Sequence, residues 1–300
     1  MFPIIRLPDE VADLTEPLGT KPKFWFRNDE LGECLFKEGR PNTGDDWSEK
    51  VASELCRQIG LPHARYELAT WKGRKGVISQ TFVPKGGALI HGNQLIAKVV
   101  PGYPRRKTFH VHQHTLRRVL AIMRTDRIGL PLGWQALQGI ETALDVFIGY
   151  LLLDAWIANQ DRHHENWGLV LTPGRTLHVA PSYDHASSLG ANETDENRND
   201  RLTTRDMGRS MERYVERAIS AFYPSSSITR PMSTLHTFRE AAALRPGAAK
   251  AWLDCIEKVS SETTREIFSE VPRERITPIS IDFAQRMLEI NRQRLLALRG

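Results

Sequence analysis

The sequence predicts an α+β chain in two lobes, a small β-rich lobe over residues 1–83 and a larger, mostly helical lobe over 84–300. Short apolar runs bounded by turn residues crowd the first eighty positions. Beyond Pro84-Lys85-Gly86-Gly87 the apolar residues recur instead at helical spacing. A length of 300 residues with 40% hydrophobic and 26% charged side chains is enough to bury one large core or two lobes.

Residues 1–18 read as an irregular lead-in, and Gly19-Thr20-Lys21-Pro22-Lys23 as a turn. Lys23-Phe24-Trp25-Phe26 and Glu33-Cys34-Leu35-Phe36-Lys37, around the turn residues Asn28-Asp29-Glu30, read as a hairpin. Thr43-Gly44-Asp45-Asp46 offers a helix start with acids in the first turn. Val51, Ala52, Leu55, Cys56 and Ile59 then keep helical spacing up to Gly60. Strands follow at 64–70 and 76–83 around Lys72-Gly73-Arg74, and 84–87 reads as a linker. Helices are expected at about 110–127, 134–158, 209–221, 235–243, 247–258 and 278–298. A β-pair at 167–172 and 177–180, joined by Pro173-Gly174, interrupts them, and Asn192 to Asp200 reads as a polar loop.

The net charge of +5 comes without a long basic run, which argues against a nucleic-acid face. Cys34, Cys56 and Cys255 are odd in number and widely spaced, so neither a disulfide framework nor a zinc site is expected, and a cytoplasmic setting fits. The first sixteen residues lack the basic start and apolar core of a signal peptide. The apolar stretch Leu144 to Ala158 is too short to span a bilayer and contains Asp145 and Asp154, so a buried helix is expected there.

The chemistry concentrates in Asn159-Gln160-Asp161-Arg162-His163-His164-Glu165-Asn166 and in Pro181-Ser182-Tyr183-Asp184. An almost wholly apolar helix delivers the first as a polar loop, and the β-pair returns the chain so that Asp184 can approach Asn166. Phosphoryl transfer from a nucleotide needs such a set, with one Asp to take the acceptor's proton and an Asn and an Asp to hold Mg²⁺. Lys37 at the end of a strand and Glu49 at the start of a helix could form the pair that grips the nucleotide phosphates. The glycine turn at 19–23 could cover a phosphate through its backbone amides. A rival reading gives His163, His164, His178 and His185, with both aspartates, to Zn²⁺ or Fe²⁺ in a metal-dependent phosphohydrolase. A third is a nucleotide-binding regulatory module without turnover.

The pattern Asn159-x-Asp161-x-His163-x-x-Asn166 followed by Pro181-Ser182-Tyr183-Asp184 resembles the signature of the HipA-like serine/threonine kinases. Gly19 to Phe26 is similar to that family's nucleotide loop. Trp47-Ser48-Glu49 with Ile59-Gly60-Leu61-Pro62 resembles its Glu-bearing helix, and Gln80-Thr81-Phe82 its hinge. The likeness runs from Gly19 to about Leu189; the loop also resembles phosphoinositide kinases, which share Asp-Arg-His-x-x-Asn. The resemblance implies a bilobal protein-kinase-like fold and an ATP- and Mg²⁺-dependent phosphotransferase acting on a protein Ser or Thr. A phosphoinositide or small molecule is the alternative acceptor. It implies Asp161 as the catalytic base, with Lys37 on the α/β-phosphates and Glu49 as its anchor. Asn166 and Asp184 would be the metal ligands. Gly19, Thr20, Lys21, Lys23 and Lys37 would surround the phosphates, and Gln80, Thr81, Phe82 and Val83 the adenine. The family's toxins add an antitoxin-like regulator as a partner. They also carry an extra N-terminal subdomain, whereas about 18 residues precede the glycine turn here, so a short form is expected.

Overall fold

The computed structural model describes residues 1–11, 14–15 and 22–299. Gly19, Thr20 and Lys21 lie outside the described residues. The chain opens with β1 (Ile4–Leu7), β2 (Leu14–Thr15), β3 (Lys23–Asn28), β4 (Gly32–Glu38), α1 (Asp45–Gln58), β5 (Tyr66–Trp71) and β6 (Arg74–Gln80). These strands form one six-stranded sheet in the order β1-β5-β6-β4-β3-β2. The β3–β4 hairpin closes where Asn28 Oδ1 accepts from the amides of Glu30 and Leu31 at 3.0 and 2.8 Å, and Gly32 supplies a φ of +76°. Lys23 pairs with Lys37 across this hairpin, and Lys37 with Val77 on its other side, so Lys37 sits on an interior strand. Leu55, Cys56 and Val51 of α1 are fully buried, as their spacing predicted.

Two elements differ from expectation here. The lead-in is not irregular throughout: β1 pairs in parallel with β5, from Ile4 opposite Leu68 to Leu7 opposite Trp71. A parallel partner sixty residues away leaves no local turn for a sequence reading to detect. The last strand is Arg74–Gln80 rather than 76–83, so Thr81 to Val83 lie beyond it.

The chain continues through β7 (Ala88–His91), α2 (Gly92–Val99), α3 (Leu116–Met123), β8 (Ile128–Gly129), α4 (Ala143–Trp156), β9 (Gly168–Leu171) and β10 (Leu177–Val179). Then come α5 (Asp195–Thr203), α6 (Met211–Glu216), α7 (Thr234–Ala242), α8 (Pro246–Glu257), α9 (Ser261–Ser269) and α10 (Pro278–Leu296). A second sheet runs β7-β9-β10-β8, so residues 88–91 add to the expected β-pair a strand that was not expected. The helix expected from 110 begins at 116. His110 has a φ of +55°, and Thr115 is the N-cap, its side chain accepting from the Arg118 amide. The helix expected from 134 begins at 143, where Thr142 and Asp145 form a reciprocal capping box. The polar loop at 192–200 contains the start of α5, a helix with one buried residue, Arg198, that no apolar stripe announces. Helices α2 and α9 were not expected.

All fourteen residues of α4 are buried, which makes it the axis of the helical part. Gly149 lets Trp252 of α8 come close, since a Cβ there would sit 2.5 Å from the indole. Asn291 of α10 donates to the Trp156 carbonyl at the far end of α4 at 3.1 Å. No helix among the described residues is long and apolar enough to cross a membrane, and all three cysteines are free.

Candidate active site

The loop after α4 is built around a buried ion pair. Asp154, on the last turn of α4, meets Arg162 in two hydrogen bonds, one of them at 2.8 Å, and accepts a third from the Asn159 amide at 2.8 Å. Arg162 is 1% exposed. Its remaining donors reach the Asn166 carbonyl at 3.2 Å and the Ser182 hydroxyl at 3.0 Å. One guanidinium therefore ties α4, the Asp161 loop and the Asp184 turn together. An arginine fork can do this because its donors are fixed in a plane.

The backbone of Asp161 is held from both sides. Its amide donates to Asn159 Oδ1 at 3.2 Å, and its carbonyl accepts from Asn166 Nδ2 at 2.7 Å. Its carboxylate, about a third exposed, lies 3.6 Å from His163 Nε2 and 3.5 Å from the Ser187 hydroxyl. The neighbouring arginine pairs with Asp154, not with Asp161, so Asp161 is not the structural partner of Arg162.

Lys37 Nζ bonds Asp184 Oδ1 at 2.7 Å and lies 3.5 Å from Glu49 Oε2. Burial disfavours the ammonium, yet the carboxylates of Asp184 and Glu49 hold its pKa well above the usual lysine value. Glu49 is fully buried, and its other oxygen accepts from the His185 amide at 2.6 Å. A single carboxylate thus positions both the strand lysine and the turn that bears Asp184. Asp184 has a φ of +60° and Ala158, just before the loop, a φ of +51°. For alanine this is a strained conformation, and such strain concentrates at functional sites.

The expected hinge also arrives here. Phe82 stacks on Tyr183 at 5.7 Å between ring centroids, and the Tyr183 hydroxyl donates to the Glu165 carbonyl at 2.8 Å. The Thr81 amide bonds Glu33 O at 2.9 Å and the Val83 amide bonds Thr81 Oγ1 at 3.2 Å, while Gln80 ends β6 opposite Cys34. Lys23 lies opposite Lys37 at the start of β3.

The donors fit a hard cation. Asn166 uses Nδ2 on the Asp161 carbonyl, which leaves its amide oxygen for a metal, and Asp184 adds a carboxylate. Among the described residues no three His, Cys, Asp or Glu converge as a metal site. Of the four histidines that suggested zinc or iron, three bond elsewhere, His164 with the Tyr103 hydroxyl at 2.6 Å, His178 with Leu130 O at 2.8 Å and His185 with the Ser182 hydroxyl at 2.7 Å, while His163 stays beside Asp161 at 3.6 Å. Sequence reasoning missed Asp154 and Arg162 as the organisers of the site. An aspartate on the last turn of a largely apolar helix, eight residues before an arginine, was the signal.

The model of the HipA-like C-terminal domain family matches residues 15–263. The kinase-designated protein Y4dM of Sinorhizobium fredii is 27% identical over 180 residues, which cover 55% of this chain and 42% of that protein. The chain therefore spans under half the length of that curated relative. The crystal structure of the Helicobacter pylori proinflammatory kinase CtkA superposes with a TM-score of 0.74 at 16% identity, covering 98% of this chain and 99% of CtkA. HipA of Shewanella oneidensis, solved with HipB and operator DNA, gives a TM-score of 0.58 at 11% identity, over 96% of this chain and 67% of HipA. The fold is the one these two kinases share.

Proposed function

Because the chain belongs to the HipA-like C-terminal domain family, we propose that it is an ATP- and Mg²⁺-dependent kinase acting on a protein serine or threonine. The observation that carries this is the convergence of Lys37, Glu49 and Asp184 in one hydrogen-bonded set beside the Asp161–Asn166 loop. We place the division between the lobes at 83/84, so that the set draws on both.

In this reading Asn166 Oδ1 and the Asp184 carboxylate hold Mg²⁺, which when bound neutralises charge on the phosphates. Lys37 then exchanges its bond to Asp184 for the α/β-phosphate oxygens, with Glu49 as its fixed counter-charge. Asp161 orients the acceptor hydroxyl and takes its proton. The acceptor oxygen bonds to the γ-phosphorus as the bond to the β–γ bridging oxygen breaks, and ADP leaves. Phe82 and the backbone of residues 80–83 border the adenine. Gly19, Thr20, Lys21 and Lys23 cover the phosphates. An antitoxin-like regulator, as HipB accompanies the Shewanella HipA, is the proposed partner.

The test is phosphoryl transfer from labelled ATP by wild type and Asp161→Asn. The variant keeps its shape but cannot take a proton, so it should bind Mg·ATP as wild type does and transfer about 10²–10⁴-fold more slowly. A folded Asp161→Asn protein with the wild-type transfer rate would sink this mechanism.

A further inference from the structure

Beside the Asp161 loop runs an arch, residues 104–110, that the proposed chemistry does not use. Its two feet are buried, Tyr103 at 7% and Val111 at 3% exposure. The Tyr103 hydroxyl bonds His164, inside the loop that carries Asp161. Glu165, from the same loop, clamps the arch: its carboxylate accepts from Thr108 Oγ1 at 3.4 Å and from Asn93 Nδ2 at 3.3 Å. The Asn93 amide also reaches the Arg105 carbonyl at 3.1 Å. At the crown, Phe109 is 55% exposed and meets His163 in a T-shaped pair with ring centroids 5.6 Å apart, and His163 Nε2 lies 3.6 Å from Asp161 Oδ1. Phe109, His163 and Asp161 are thus successive neighbours.

Arg105, Arg106 and Lys107 stand on this arch, all exposed. None of their side chains has a partner among the described residues. The nearby acid that could have neutralised them, Glu165, is bonded instead to the neutral donors Thr108 and Asn93. Three uncompensated cations and an exposed aromatic ring are therefore held at a fixed place beside the proposed base. A surface so arranged attracts acidic partners and sets orientation through complementary charge.

We propose that the 104–110 arch docks the acceptor, and that the acceptor is a protein segment with acidic side chains flanking its Ser or Thr and an apolar one against Phe109. This rests on the kinase reading above and adds the class of acceptor. The arch reads the acceptor, not the nucleotide, so its loss should leave ATP handling alone.

Three fluorescein-labelled peptides of one length, each with a single Ser, test it: one flanked by Asp and Glu, one by Asn and Gln, one by Lys. Binding is read by anisotropy without turnover, and transfer is read separately. Wild type should bind the acidic peptide best, with affinity falling as salt rises. The triple variant Arg105→Ala/Arg106→Ala/Lys107→Ala should bind it about tenfold or more weakly. Its KM for ATP, its melting temperature and its kcat on the Asn/Gln peptide should not change. Phe109→Ala should weaken all three peptides alike. Equal binding of the three peptides by wild type would overturn the inference while leaving the kinase reading intact. So would a single-stranded oligonucleotide of the same charge that binds as tightly as the acidic peptide in 150 mM salt. Preferred acidic binding with no transfer to any peptide would uphold the docking arch and count against the kinase chemistry.

Discussion

Replacing Arg162 with alanine should be the most costly single change near the site, although Arg162 touches no substrate in the proposed mechanism. Its guanidinium is buried and makes two bonds to Asp154, one to the Asn166 carbonyl and one to the Ser182 hydroxyl. Without it Asp154, 3% exposed, keeps one neutral partner, the Asn159 amide. Breaking a buried ion pair from one side costs about 3–5 kcal/mol. The Asn166 carbonyl loses a donor as well, adding about 1 kcal/mol, whereas the Ser182 hydroxyl keeps His185. The total, about 4–6 kcal/mol, is a large share of the roughly 5–15 kcal/mol that holds a domain folded. At roughly 2–4 °C per kcal/mol it lowers the melting temperature by about 8–24 °C. Asp154→Asn/Arg162→Met removes the uncompensated charge and should recover much of that stability. It should not recover phosphoryl transfer, because the tether between the Asp161 loop and the Asp184 turn is still missing. Thermal melts with single-turnover transfer on the three proteins are the assay. The reasoning is refuted if Arg162→Ala melts within about 2 °C of wild type, or if the double variant is no more stable than the single one.

Asp184→Ala should abolish the advantage that Mg²⁺ gives to ATP binding; calorimetric titrations with Mg²⁺ and with EDTA check this, and equal Mg²⁺ dependence in both proteins removes Asp184 from the metal site. Arg275→Met cuts the bonds that join Asp46 of α1 to the Ala69 carbonyl and Thr70 hydroxyl of β5. It should cost about 3–5 kcal/mol, read as a lower urea midpoint, and an unchanged midpoint would refute it. Burial holds His63 and His164 neutral with pKa values of about 4, and His114 at about 3, against 6.5 unperturbed. The unfolded chain therefore binds protons between pH 6.5 and 4 that the folded one rejects, and stability must fall as pH drops through that window. A melting temperature at pH 5 equal to that at pH 7.5 would contradict this.

The parts of the fold set by local chemistry were legible in the sequence. The Asn28 turn, the buried stripe of α1, and the apolar α4 with its polar loop each rest on neighbours within a few positions. Asp161, Asn166 and Asp184 could be read as one candidate set because motif spacing preserves what α4 and one β-pair bring together, whereas Lys37 on β4 and Glu49 on α1 joined them through the family resemblance. Long-range facts were not legible. The pairing of β1 with β5 and the bond from Arg275 to Asp46 join residues with no common pattern. The starts of α3 and α4 were misplaced because apolar spacing extends past a helix end, whereas Thr115 and Thr142 fix it. The arch at 104–110 showed only as three basic residues, with nothing to say that Glu165 would hold them beside Asp161.

The bond between Lys37 and Asp184 joins positions 147 apart. At about 5–20 residues per second, a ribosome makes the aspartate roughly 7–30 s after the lysine. α4, which presents the Asp161 loop, gains its Asn291 contact later still. A nascent chain therefore displays its β-rich part for many seconds with a lysine that has no Asp184 to meet and no Asp161 loop beside it. On the proposed mechanism the site therefore stays incomplete until Asp184 has been made, and a fragment that ends before it should transfer no phosphate.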